Sequence, residues 1–229
     1  AVSESLKQDT LSIFNLKKEI EVIPNFIDLQ EYNVKFDKCS RHRYATNGEK
    51  IMIHISNFRK VKRVDDVLRV FDKVRKKIPT KLILVGDGPE RAVIDKLCRE
   101  LDTCGDIISV GKIADPKDVL SMADLFILPS ETESFGLAAL EAMAMKIPVI
   151  STNTGGLPEL NINGVTGFMS NVGDVDDMAK NAIHILSDAE TLAKFKGRAY
   201  KRAEDFDISK VLKDYESLYN LVVKNKALV

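Results

Sequence analysis

An α/β fold built on a doubly wound parallel sheet follows from three features of this sequence. From residue 50 onward, short apolar runs alternate with amphipathic stretches of helical spacing. The short runs are apolar throughout, as strands buried on both faces must be. The residues least suited to regular structure (glycines, prolines, clustered charges) fall just after those runs, where a parallel sheet presents its ligand-binding rim.

The elements follow in order. Ile51 to Ser56 (IMIHIS) reads as a strand, and Val64 to Lys77 as a helix with Val64, Val67, Leu68, Phe71 and Val74 on one face. Lys81 to Val85 is the second strand, with Pro89 expected as the first residue of the next helix. Ile107 to Val110 is the third strand. Asp115 and Pro116 then open a short helix that ends near Met122. Asp124 to Leu128 is the fourth strand, Gly136 to Met145 a helix, and Pro148 to Ser151 the fifth strand. A turn-rich loop from Asn153 to Glu159 leads to a weaker strand at Gly167 to Ser170, and Asp174 to Lys224 reads as three helices. Alternation of this kind gives a Rossmann-like sheet with helices on both faces.

The first 48 residues fit this scheme less well. Ser3 to Phe14 has helical spacing, Glu19 to Pro24 (EIEVIP) reads as a strand, and Asn33 to Gly48 as a polar linker. One helix and one strand cannot form a domain. Residues 1–48 are therefore expected to be the tail of a preceding domain plus linker, 49–205 the Rossmann-like domain, and 206–229 a C-terminal helix.

Composition narrows the function. Lys plus Arg number 34 and so do Asp plus Glu, leaving no cationic surplus for a nucleic acid partner. No apolar run approaches bilayer length, and no secretory leader is visible, which points to the cytoplasm. Cys39, Cys98 and Cys104 form no C-x-x-C pair and have no His nearby to complete a zinc site, so they read as free thiols in a reducing compartment. No other metal-ligand cluster and no Ser-His-Asp arrangement is apparent. His54, inside an apolar strand, reads as a core histidine.

The rim residues carry the chemistry. After the first strand come four cations, Arg59, Lys60, Lys62 and Arg63. Cations at a helix N-terminus oppose the helix dipole, so the cluster serves something other than local stability. Arg59 and Lys62 are the candidates for stabilising a departing diphosphate. After the fourth strand, Ser134-Phe135-Gly136-Leu137 runs straight into a helix, whose first N–H groups, near Gly136 to Ala138, lack intrahelical acceptors and suit a phosphate. Glu133 precedes that helix, and Glu141 lies inside it, roughly 7 Å further along the axis. Carboxylates beside an anion pocket suit sugar hydroxyls, so diol, diphosphate and second diol would be satisfied together. A nucleoside diphosphate sugar has that sequence of groups. Gly86-Asp87-Gly88 lacks the third glycine of a dinucleotide fingerprint and reads as a turn.

The run Glu133-Ser134-Phe135-Gly136-Leu137-Ala138-Ala139-Leu140-Glu141 resembles the E-x7-E signature of retaining GT-B glycosyltransferases of family 4. Leu82 to Pro89, Ala123-Asp124, Gly155-Gly156-Leu157-Pro158-Glu159 and Gly164 to Gly167 continue the resemblance, which spans about residues 50 to 190. It implies the C-terminal, donor-binding half of a GT-B fold that needs no metal. Glu133 would contact the transferred sugar and Glu141 the ribose. Main-chain amides of Phe135, Gly136 and Leu137 would meet phosphate or sugar, Lys62 the diphosphate, and the backbone near Ile113 the base. Asn57 stands where that family commonly has arginine, which leaves open whether Arg59 supplies the charge.

Ile55 to Arg59, Val61 to Val64 and Pro24 to Asp28 are similar to the branch that transfers N-acetylglucosamine from UDP-N-acetylglucosamine (UDP-GlcNAc) to L-malate in bacillithiol biosynthesis. The resemblance further implies an acceptor held mainly by an N-terminal domain outside these residues, so that this chain alone would bind donor but transfer nothing. Two rival readings use the same residues. A nucleotide-sugar epimerase of GT-B architecture would act without an acceptor. A non-catalytic module would bind nucleotide without discriminating among sugars.

Overall fold

The computed structural model describes residues 1–33 and 41–226. Its strands are β1 (Lys50–Ile55), β2 (Thr80–Val85), β3 (Ile107–Gly111), β4 (Leu125–Leu128), β5 (Val149–Thr152) and β6 (Gly167–Ser170). Its α-helices are α1 (Glu4–Ile13), α2 (Val64–Arg75), α3 (Arg91–Glu100), α4 (Lys117–Leu120), α5 (Leu137–Ala144), α6 (Leu157–Leu160), α7 (Val175–Ser187), α8 (Ala189–Ala203) and α9 (Ile208–Lys226). The strands form one sheet in the order β3-β2-β1-β4-β5-β6, and every pairing is parallel. This is the doubly wound Rossmann-like arrangement, with its reversal of direction between β1 and β4.

Successive strand residues face opposite sides of the sheet, and the chain fills both sides. Ile51, Ile53, Ile83, Val85, Phe126, Leu128 and Val149 enter one core with residues of α5 and α6. Met52, Leu82, Leu84, Leu125, Ile127 and Ile150 enter the other with residues of α2, α3 and α7. The two-sided burial explains why these strands read as uninterrupted apolar runs.

Four local expectations are corrected. Glu19 to Pro24 forms no strand: Ile23 donates to the Ala1 carbonyl (2.9 Å), and Ile27 makes only an isolated bridge with Asp207. Residues 21–23 lie beside α9 and belong to no sheet, so Ile23, like Ile27 after it, is buried without a ladder. Pro89 sits in a turn two residues before α3, which begins at Arg91. Leu157 to Leu160, at the end of the expected Asn153–Glu159 loop, is a turn of helix with proline in its first positions. Finally, Cys98 and Cys104 are not free thiols but a disulfide, because the chain reverses after α3 and brings their Cα atoms within 4.9 Å. Cys39 lies outside the described residues.

The expected linker is only partly described, and what is described is anchored. Arg41 donates to the Met122 carbonyl, to the Glu49 carbonyl (3.1 Å) and to Asp124 Oδ2 (2.6 Å). Asp124 also accepts from the Ile51 N–H (3.0 Å) and from Lys196 (3.1 Å). Burial alone would raise the Asp124 carboxyl, but Lys196 and Arg41 overcome it and hold the group below its usual range.

Candidate functional site

A cavity of about 330 Å³ opens between the carboxyl ends of β1 and β4, where the winding of the sheet reverses. That is the place where open α/β sheets bind ligands. Ile55, Ser56 and Asn57 line it from the β1 side; Leu128, Glu133, Gly136, Leu137 and Ala138 line it from the β4 side; Lys62 reaches in from between.

The β1 loop is shaped from beneath. His54 is fully buried; one ring nitrogen is 2.8 Å from the Ile127 carbonyl and the other 2.8 Å from Ser56 Oγ. Burial lowers its pKa to about 4, and the charge of Lys62 pushes the same way. The ring is therefore neutral at physiological pH, donating to the carbonyl and accepting from the serine hydroxyl. Ser56 Oγ accepts in turn from the Phe58 N–H (3.2 Å), and Phe58 is held at φ 37° with its ring fully buried. Gly86 seals the arrangement, since a Cβ there would stand 1.8 Å from the Ser56 carbonyl oxygen. The Gly86-Asp87-Gly88 run is thus the turn the sequence indicates.

The four cations divide after folding. Residues Lys60–Lys62 form one turn of 3₁₀-helix that carries Lys62 to the cavity. Lys62 Nζ lies 2.6 Å from Glu133 Oε1, the two side chains being 21% and 12% exposed. Arg59 and Lys60 are exposed, and Arg59 is not among the lining residues. Arg63 folds back onto Asp66 (2.6 Å) in the first turn of α2, offsetting its unfavourable place at that helix N-terminus.

On the β4 side, Gly136 is the N-cap of α5 at φ 95° and supplies no side-chain cap. A Cβ at this position would meet Leu157 Cδ2 at 2.7 Å, so both backbone angle and space demand glycine. Among the described residues, the N–H groups of Gly136, Leu137 and Ala138 donate to no protein acceptor, and all three residues border the cavity. Three free peptide donors at a helix N-terminus are a site for an anion.

The remaining candidates do not line this cavity. Phe135 buries its ring edge-on against Phe206 (5.5 Å), so only its main chain is placed to act. Glu141 is half-buried one turn further along α5, and burial raises its carboxyl while a hydrogen bond from Tyr32 opposes the rise. The Tyr32 hydroxyl is itself raised, by burial first and then by the Glu141 charge. Ile113, after β3, packs against the core beside α5. Two contributors escaped the sequence reading. Ser130 donates to Glu133 Oε1 (2.8 Å) and had a visible signal, standing three residues before Glu133 in the same loop. Ser56 gave none, because a small residue acquires a role only through what folding places beside it, whereas Ala138 belongs to the run of spare amides that the sequence indicates at this helix start.

Among the described residues, no group of three or more His, Cys, Asp and Glu side chains is placed to hold a metal ion, and no helix is long and apolar enough to cross a membrane.

The chain belongs to the glycosyl transferases group 1 family, whose model matches residues 38–202. It is 40% identical over 227 residues to N-acetyl-alpha-D-glucosaminyl L-malate synthase of Bacillus anthracis, an alignment covering 98% of this chain and 60% of that protein. Its fold matches a glycosyltransferase from Rickettsia africae with a TM-score of 0.87 at 22% identity, covering 98% of this chain and 63% of that one. It also matches HepE of Anabaena in complex with UDP-glucose, with a TM-score of 0.86 at 21% identity over 96% of this chain and 63% of the other. The chain thus spans about three-fifths of the length of these relatives.

Proposed function

We propose that the intact protein transfers N-acetylglucosamine from UDP-GlcNAc to L-malate with retention of anomeric configuration, and that this chain carries the donor half of the site. The observation that bears most weight is the meeting of Lys62 and Glu133, from two different loops, beside the unpartnered amides of α5. The 40% identity to the malate synthase of B. anthracis supports the choice of donor and acceptor.

In this reading the diphosphate accepts hydrogen bonds from the amides of Phe135, Gly136 and Leu137 and takes Lys62 as its counter-ion. Glu133, released in part from Lys62 and still held by Ser130, accepts from sugar hydroxyls. As the bond from anomeric carbon to phosphate oxygen breaks, negative charge grows on the leaving diphosphate. Lys62 and the fixed amide dipoles stabilise that charge more than they stabilise the ground state. Arg59 adds its charge from the rim, and Asn57 offers a neutral contact in place of an arginine. Glu141 holds the ribose and the backbone at Ile113 the uracil. No protein nucleophile and no metal is invoked. Residues 1–48 then belong with the preceding domain and its linker, and α9 returns toward that domain, which holds the malate. The exposed Tyr219, Val222 and Val223 of α9 share one side of the helix and supply an apolar face for that contact.

Thermal-shift screening of this chain against nucleotide sugars tests the donor. UDP-GlcNAc should stabilise it more than UDP-glucose, GDP-mannose or UDP alone. Absence of any shift would remove the reading. The full-length protein should form a glycoside only when malate is added; conversion of the nucleotide sugar without acceptor would establish the epimerase instead.

A further inference from the structure

The turn that presents the candidate phosphate donors is held from outside by the N-terminal helix. Ser3, the N-cap of α1, is 1% exposed, and its hydroxyl donates to the Ser134 carbonyl at 2.6 Å. The same oxygen accepts from the Leu6 N–H at 3.1 Å. Beside it, both carboxylate oxygens of Glu159 cap α1, accepting from the N–H groups of Glu4 (2.8 Å) and Ser5 (2.9 Å). Three of these bonds fasten the first turn of α1 to the Ser134 turn and to α6, and the fourth caps α1 itself.

Peptide planarity converts that fastening into aim. The Ser134 carbonyl and the Phe135 N–H belong to one rigid plane and point in opposite directions. A hydroxyl fixed on the carbonyl therefore fixes where the amide points. The neighbouring plane is held likewise, since the Gly156 N–H donates to the Glu133 carbonyl at 2.8 Å. Each such bond also polarises its peptide, strengthening the N–H as a donor on the far side. Meanwhile α1 has no buried residue within its own span, and Ile13 and Phe14 at its far end are 74% and 68% exposed. The helix is attached chiefly at the end that touches the donor turn.

We infer that Ser3 and Glu159 are positioning residues: through the first turn of α1 they hold the Ser134–Phe135 peptide in its donor-binding orientation, so that the N-terminal segment sets donor affinity. The inference rests on the donor-site reading above.

The test uses the full-length protein with UDP-GlcNAc and UDP as probes, read by calorimetry and by steady-state kinetics. Ser3→Ala should weaken binding of both probes roughly 5-fold, the scale of one hydrogen bond, and raise KM for the donor more than it lowers kcat. Ser3→Thr, which keeps the hydroxyl, should restore both values. Glu159→Gln, which keeps one acceptor oxygen but loses the charge, should fall between wild type and Glu159→Ala. Should Ser3→Ala fail to fold, the Glu159 pair gives the same readout. Unchanged donor affinity and KM in the folded variants, even with a lowered Tm, would show the contacts to be structural only and overturn the inference. A wild-type protein that binds no nucleotide sugar would instead defeat the functional reading itself.

Discussion

Lys62 and Glu133 stand 71 residues apart in sequence and 2.6 Å apart in the folded chain, across the point where the sheet reverses its winding. Each arrives from a different loop, and neither is fully solvated. A partly buried pair of this kind contributes modestly to stability, because desolvation offsets much of the attraction. On the proposed function its importance lies in exchange of partners: an incoming diphosphate would compete for the lysine and leave the carboxylate for hydroxyls.

Replacement of Lys62 should therefore act on turnover. Lys62→Ala in the full-length protein is expected to lower kcat about 100-fold or more, the usual effect of removing one group that stabilises developing charge. Single-turnover measurement of glycoside formation checks this, and an unchanged rate would exclude Lys62 from the chemistry.

Gly136→Ala should cost both stability and donor affinity. The added methyl would be strained at φ 95° and would meet Leu157 at 2.7 Å. The expected loss is about 1–3 kcal/mol of unfolding free energy. Urea denaturation followed by circular dichroism measures it; a variant as stable as wild type would show that the turn relaxes without penalty.

The neutral, buried His54 should impose a pH dependence on stability. Its pKa is about 4 in the folded chain against 6.5 in its absence of burial, so between those values the unfolded chain binds the extra proton. The contribution is whole above pH 6.5 and is lost progressively as pH falls toward 4, with a slope of up to about 1.4 kcal/mol per pH unit. His54→Gln should flatten the stability profile in that window. An unaltered slope would assign the acid sensitivity to other groups.

Asp124→Ala should be among the more damaging single changes outside the cavity. It removes the acceptor of Arg41, Lys196 and the Ile51 N–H at once, leaving cations and a buried amide without their partner. A loss of about 3 kcal/mol is expected, the scale of breaking a buried ion pair from one side. Chemical denaturation of the variant reads the value directly, and a loss under about 1 kcal/mol would mean that water substitutes for the carboxylate.

Much of this protein was legible because local rules and the final fold agree. The strand runs were apolar on both faces, the helices carried their spacing, and β6 and the three last helices fell where periodicity put them. The Ser-Phe-Gly turn announced itself as a helix start with spare amides, since Gly136 lacks a capping side chain. Errors arose where the outcome depends on a distant partner. The EIEVIP segment has strand chemistry, yet a strand exists only beside another, and residues 23–27 meet Ala1 and the start of α9.

Sequence alone thus determined the winding of the sheet, the rim on which the candidate site lies and the glycine turn at its centre, because these follow from periodicity, burial and backbone angles that each segment carries within itself. Only the tertiary structure decided which of four cations enters the cavity, that Ser130 steadies Glu133, that Cys98 meets Cys104, and that Ser3 reaches Ser134. Those relationships are distances between residues brought together by packing, and no local propensity encodes a distance across the fold.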